Sequence, residues 1–171
     1  MTTPTMEQRI ARVFGLQGDK WMRHANAASV WTRFTVLSLL ALAIWSRDWI
    51  GWYCLIPIAL AVLWMMVNPL LFPPPRSTRN WASASVLGER VWSERGTADI
   101  PAQFRSPVPN LTNVIGVAGL ILLAYGLVRL DVLTTVAGVL IVNVSKLWYL
   151  DRMALLFAEV KGRPEYASWD F

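Results

Sequence analysis

The chain has 171 residues, of which 55% are apolar and only 16% charged, with a formal net charge of +5 and a mean hydropathy of +0.41. A soluble domain of this size carries more charge, and the long uninterrupted apolar runs decide for an integral membrane protein. The single cysteine, Cys54, excludes an intrachain disulfide and a cysteine-based metal site. The basic residues flank apolar runs instead of forming an aromatic-interleaved stripe, which excludes a nucleic-acid surface.

Residues 1–28 hold no apolar stretch long enough for a signal-peptide core. Thr5 and Gln8 have the spacing of a capping box, and Ile10, Val13 and Phe14 fall on one face beyond it. This pattern predicts an N-terminal interfacial segment, with Arg9 and Arg12 at the headgroups and Gly15 and Gly18 ending the helix.

From Phe34 to Val67 two apolar runs are joined by only Ser46, Arg47 and Asp48, the pattern of a tight transmembrane hairpin. The first run alone rises roughly 18 Å against a hydrocarbon core of about 30 Å, so its helix is expected to begin at Ser29, as N-cap. The second helix is expected over Trp49–Val67, bent by Pro57 and closed by Asn68-Pro69. Trp31, Trp45, Trp49, Trp52 and Trp64 lie near helix ends, where an indole anchors in a bilayer.

The run Phe72-Pro73-Pro74-Pro75 makes a stiff, extended exit. Ser77–Arg95 turns helical again but carries too many charges to span. It is expected to be an amphipathic cytoplasmic or interfacial helix, with Arg90 and Glu94 as an i,i+4 pair. Prolines 101, 107 and 109 make the next stretch extended, with Asn110 placed to cap the third helix, Leu111–Val128. The fourth is expected over Val132–Leu150. Gly116, Gly119 and Gly126 on the third helix, and Thr134 and Gly138 on the fourth, form small-residue seams that predict close helix contact. The second tip, Arg129-Leu130-Asp131, repeats the arginine and aspartate of the first, a weak internal repeat.

These elements give an all-α, integral membrane four-helix bundle made of two helical hairpins. Its expected parts are an N-terminal segment (1–28), a transmembrane domain (29–150) with a cytoplasmic amphipathic segment at 76–110, and a cytoplasmic tail (151–171). Lys and Arg concentrate in residues 1–33, 68–110 and 146–171, while each tip holds one arginine matched by an aspartate. The positive-inside rule then places both termini and the central segment in the cytoplasm, in a cell inner membrane.

This topology gathers polar residues at one boundary. His24, Asn26, Arg33 and Asn68 flank the first hairpin; Glu89 and Arg90 lie on the central segment; Asn143, Lys146, Asp151 and Arg152 lie around the end of the fourth helix. Ionisable groups at such depth are costly unless paired, which makes them site candidates. Lys146 is either a snorkelling lysine or a buried cation facing Glu89 or Asp151 in an anion pocket. His24, the only histidine, is a candidate general base or an interfacial hydrogen-bonding group, and no histidine–cysteine metal set accompanies it. Glu89 beside Arg90 is a second candidate base, with the alternative of a solvated charged pair. No phosphate-binding glycine loop, zinc-protease helix, nucleophile elbow or haem-attachment motif is present, so the sequence identifies no cofactor.

The motifs HANAASVWTRF (24–34), SRDWIGW (46–52), NPLLFPPP (68–75), LGERVW (87–92) and KLWYLDRM (146–153) resemble those of a family of small uncharacterised prokaryotic membrane proteins, a domain of unknown function. The resemblance spans residues 24–153. It implies a single multi-helix membrane domain and no activity.

The expectation that follows is a small accessory or scaffold component that self-associates or joins a larger membrane complex. Its cytoplasmic rim, Asn26, Arg33, Asn68, Arg90, Asn143, Asp151 and Arg152, would bind anionic lipid, a small anionic ligand or a partner. The second reading is a membrane-embedded enzyme acting on a small or lipidic substrate at the cytoplasmic leaflet, with His24, Glu89 and Lys146 as working groups. A channel needs a polar lining that the helices do not offer beyond Thr134, Thr135, Asn143 and Ser145.

Overall fold

A computed structural model describes residues 19–96 and 98–171. The surface helix expected around Ile10–Phe14 lies outside the described residues. Among those described, every regular element is helical: α1 (Asp19–His24), α2 (Ala27–Trp45), α3 (Arg47–Ile50), α4 (Leu55–Leu71), α5 (Trp81–Ser93), α6 (Val108–Arg129) and α7 (Val132–Val160), with short 3₁₀ turns between and after them. Three stretches, Ala27–Leu71, Ala102–Arg129 and Val132–Val160, are long and apolar enough to cross a membrane.

The chain divides into two compact units, one of residues 32–68 and 107–149, the other of residues up to 31, 69–106 and 150–171. Charge divides with them. In the first unit the charged residues are Arg33, Arg47, Asp48, Arg129, Asp131 and Lys146, and all the others belong to the second. They are called here the apolar unit and the charged unit.

In the apolar unit, Thr32–Asn68 doubles back on itself. Helical geometry breaks at Ser46 and at the 3₁₀ turn Gly51–Cys54, where Gly51 adopts a φ of 56°, a region open to glycine. Asn68 Nδ2 then donates to Thr32 Oγ1 at 2.8 Å, across 36 residues. α6 and α7 also run back along each other. A Cβ on Gly119 would meet Val142 and Ile141, on Gly126 it would meet Thr135, and on Gly138 it would fall 2.6 Å from the Leu123 Cα. The predicted seams therefore do face each other, and they are used up within this chain. Ala41, Leu123 and Leu127 form the centre, packed by Leu37, Ile44, Trp45 and Val139.

The two tips are joined by an interaction that the sequence pattern did not suggest. Arg47 Nη2 donates to the Leu127 carbonyl and, at 3.2 Å, to the Val128 carbonyl. These are among the last carbonyls of α6, which have no partner inside their own helix. Leu130 then turns left-handed with a φ of 52°, and Asp131 Oδ2 accepts from the Thr134 N–H at 2.9 Å to open α7.

In the charged unit α5 is the centre. Nine of its thirteen residues are buried, from Ala82 and Ser83 through Gly88 to Trp92 and Ser93, which is more than one face of a helix. The segment expected to lie amphipathically on a surface is thus a core helix. Gly88 permits this, because a Cβ there would lie 1.8 Å from the Met153 carbonyl oxygen of α7. Asn80 caps α5 by accepting from the Ser83 N–H at 3.0 Å, and Ser83 Oγ donates to the Ala25 carbonyl at 2.7 Å. The chain's last residues close on the strap before α5, with the Thr78 N–H donating to the Phe171 carbonyl at 2.8 Å.

Several expected boundaries shift, each for a local reason. α2 begins at Ala27, not Ser29, because Asn26 Oδ1 accepts from the Ala28 N–H at 2.9 Å, while Ser29 is fully buried inside the helix. Pro57 is the third residue of α4, where its missing N–H has no intrahelical partner to lose, so it does not interrupt that helix's hydrogen bonding. α4 runs on through Asn68-Pro69 to Leu71. α6 starts at Val108, which puts Asn110 inside its first turn and not at its cap. α7 extends ten residues past Leu150, and those ten belong to the charged unit.

Candidate functional site

The ten candidate residues fall into both units. His24, Asn26, Glu89, Arg90, Asp151 and Arg152 belong to the charged unit; Arg33, Asn68, Asn143 and Lys146 belong to the apolar one.

In the charged unit, α1 and the start of α2 place His24 and Asn26. His24 is half-buried, its ring edge-on to Trp21 at 6.0 Å. Asn26 serves as cap with its oxygen and ties down the polyproline exit with its nitrogen, donating to the Pro73 carbonyl at 3.0 Å. Both functions position backbone. α5 carries Glu89 and Arg90 at its half-buried edge. The Arg90 guanidinium stacks over Trp169 at 4.2 Å and pairs with Glu94 at 4.0 Å, so the expected i,i+4 pair is present. Burial lowers the Arg90 pKa from its ordinary value, partly offset by the Glu94 carboxylate.

Asp151, exposed on α7, accepts a hydrogen bond from Trp81 Nε1 at 3.1 Å, and Trp81 stacks on Trp31 with ring centroids 5.4 Å apart. Arg152 lies over Phe104 at 5.4 Å. Asn26, Arg90, Asp151 and Arg152 thus each contact a different structural neighbour. Three of these are aromatic, and Trp169 and Phe104 were not among the expected partners. The tail around Trp169 also carries Tyr166, whose phenol is pushed up by burial and then by the Glu165 and Glu94 carboxylates, against an opposing effect of Arg163. Lys161 and Arg79 both reach Asp170, at 3.2 and 3.5 Å. Aromatic residues near a chain's last helix were the available signal for this tail.

In the apolar unit, Asn68 is fully buried and held by Thr32, a polar pair inside an otherwise apolar packing. Arg33 and Asn143 are half-buried. Lys146 is exposed, with its ammonium 4.7 Å from the Tyr149 ring centroid. Of the two readings of Lys146, its exposure and its rest on an aromatic face fit the snorkelling side chain and not the buried cation. Counting helical rise from the tips, Arg33 stands about 21 Å from Arg47 and Lys146 about 22 Å from Asp131, so the two cations share one level.

Among the described residues no group of three or more His, Cys, Asp or Glu side chains could hold a metal ion. Cys54 is a buried free thiol. The arrangement can hold backbone, stack cations on rings and present Arg33 and Lys146 at one depth. A family model described as a family of unknown function (DUF6653) matches residues 5–170. No curated protein and no solved structure matches the chain.

Proposed function

The chain belongs to that family of unknown function, and we propose that it is a small polytopic inner-membrane protein acting as an accessory or scaffold component. The observation that carries this reading is the separation of charge between the two units. Apart from Arg33 and Lys146 at one level and four residues at the tips, the apolar unit is uncharged. That leaves a band of about 20 Å, which snorkelling at its edges extends towards the thickness of a hydrocarbon core. On this reading the unit spans as two hairpins, hence four crossings, with both termini and the central segment in the cytoplasm.

Two further features support it. Within the three apolar stretches only 22%, 28% and 22% of the most apolar windows are buried inside the chain, and Leu63, Val117, Ile121 and Val144 stand among the exposed side chains. Such faces suit lipid or the helices of a second copy or larger complex. Arg33 and Lys146 would meet anionic headgroups at the cytoplasmic leaflet. Because the glycine seams are consumed within the chain, association would use the exposed Leu, Val and Ile faces instead.

Alkaline carbonate extraction of membranes, with reporter fusions at residue 171 and at the 47–48 tip, tests the reading. It expects the protein to stay with the membrane, residue 171 to report cytoplasmic and the tip to report the opposite side. Release into the supernatant, or both reporters on one side, refutes it.

A further inference from the structure

In the charged unit the strap 77–80 belongs to no helix, so its donors must find partners in another segment. Residues 167–171 supply them. Thr78 Oγ1 donates to the Trp169 carbonyl at 2.6 Å and Ser77 Oγ to the Phe171 carbonyl at 2.9 Å, beside the Thr78 N–H bond to that same carbonyl. One bond returns, from the Phe171 N–H to Thr78 Oγ1 at 3.0 Å. The Asp170 carboxylate lies against Lys161 and Arg79, and among the described residues no other carboxylate pairs with either. The neighbouring charges are engaged elsewhere: Glu94 with Arg90, Arg163 with Asp99, and Glu165 acting on Tyr166. Trp169 fills a slot, with the Arg90 guanidinium 4.2 Å from its ring and the Tyr166 ring centroid at 5.2 Å.

The tail is thus held as a bound peptide is held. Lys161 and Arg79 call for a carboxylate, the slot at Arg90 and Tyr166 calls for an aromatic ring, and Ser77 and Thr78 call for carbonyls on either side of the carboxylate-bearing residue. A lone phosphate answers the first demand only, and a peptide answers all three. The hold is also shallow. The Arg79 and Lys161 side chains are 68% and 41% exposed, and ion pairs so open to solvent contribute little. Tyr166 is buried while Phe171 is 45% exposed, so the segment can lift from a root fixed at Tyr166. The contacts that seat α5, Gly88 on Met153 and Ser83 on Ala25, involve none of the tail residues.

We propose that this cleft of the charged unit docks a segment of another polypeptide that carries a carboxylate beside an aromatic residue, and that residues 167–171 are its competitor in cis. This deepens the accessory reading above by giving the partner's chemistry, and it rests on that reading for there being a partner. Fluorescence anisotropy of a labelled peptide of residues 166–171 tests it, with the purified full chain and a chain lacking 167–171, both in detergent. The shortened chain is expected to bind the peptide about tenfold or more tightly than the full chain, because a tethered tail competes at an effective concentration in the millimolar range. Trp169→Ala with Asp170→Lys, which unseats the tail of an intact chain, is expected to bind as the shortened chain does. Arg79→Glu with Lys161→Glu in the shortened chain is expected to abolish binding. Equal affinity with and without the tail, no binding by either tail-free form, or equal binding of a peptide carrying Trp169→Ala and Asp170→Asn overturns the proposal. So does loss of cooperative unfolding in both tail variants, which makes the tail part of the core. Displacement by inorganic phosphate as efficient as by unlabelled peptide overturns it too, making a lone anion the ligand. Carbonate extraction run in parallel keeps the two readings apart: release from the membrane refutes the spanning reading, while failure of peptide binding in detergent leaves that reading standing.

Discussion

Replacing Gly88 by alanine adds one carbon at a place where α5 meets backbone. The new Cβ would lie 1.8 Å from the Met153 carbonyl oxygen, 2.5 Å from its carbon and 3.1 Å from the Met153 Cα. Restoring ordinary van der Waals contact requires the helices to part by about 1.5 Å. Overpacking of a core by one methyl costs about 1–3 kcal/mol when flexible side chains can yield. Here the obstacle is a helix backbone, so about 3 kcal/mol is the appropriate figure. Alanine returns about 1 kcal/mol through its better helix propensity. The net loss is about 2 kcal/mol, which for a chain of this length lowers Tm by roughly 4–8 °C. Thermal unfolding of purified Gly88→Ala, followed by circular dichroism in detergent, measures it. Gly162→Ala is the control, because nothing lies within 4 Å of the position its Cβ would take. A Gly88→Ala protein that melts with the wild type refutes the close approach of α5 to α7.

In the apolar unit Gly138→Ala places a Cβ 2.6 Å from the Leu123 Cα and backbone nitrogen. It is expected to lose about 1–3 kcal/mol by the same assay. Asn68→Leu and Thr32→Val each remove the hydrogen bond between these two side chains, at a cost of about 1–3 kcal/mol. The double variant should recover most of it, and additive losses in a double-mutant cycle would contradict the pairing. Arg47→Ala frees the Leu127 and Val128 carbonyls and is expected to cost about 1 kcal/mol, with faster hydrogen exchange confined to the end of α6. Thr134 hydrogen bonds, side chain first and backbone second, hold the Asp131 carboxyl below its ordinary value of 3.8. Its stabilisation is therefore complete above that value and disappears as pH falls through the lower folded-state pKa. The stability gap between wild type and Asp131→Asn should close over that acidic window, and a gap independent of pH would show that the carboxylate does not cap α7.

Much of this was legible in the chain itself. A run such as Phe34–Trp45 can satisfy its backbone in hydrocarbon only as a helix, so the long apolar stretches determine helices whatever packs against them. The seams were readable for a related reason. Glycines on α6 and Gly138 on α7 serve little purpose except close approach, and the structure brings both helices together there. Helix ends were harder, because the cap that wins is the side chain whose oxygen reaches a free N–H. Asn26 does so for α2, a choice made by tertiary position, since its amide also holds Pro73. The segment Trp81–Ser93 misled most, because its two charges, Glu89 and Arg90, share one half-buried edge while Ser83, Ser85 and Ser93 are buried. Buried serine is affordable where its hydroxyl finds a carbonyl, as Ser83 does at Ala25 and Ser85 at Ala82. No periodicity can announce those partners.

Sequence alone therefore determined a helical chain with apolar stretches long enough for a bilayer and short polar tips around Arg47-Asp48 and Arg129–Asp131. It did so because hydrophobicity and backbone hydrogen bonding are properties of each segment taken singly. Only the tertiary structure decided that α7 runs ten residues past its apolar limit into the charged unit, that α5 is a core helix, that Arg47 serves the end of α6, and that Lys146 rests on Tyr149. Each of those outcomes depends on which distant residue supplies a carbonyl, a ring or a gap without a Cβ, and that is settled when the segments meet.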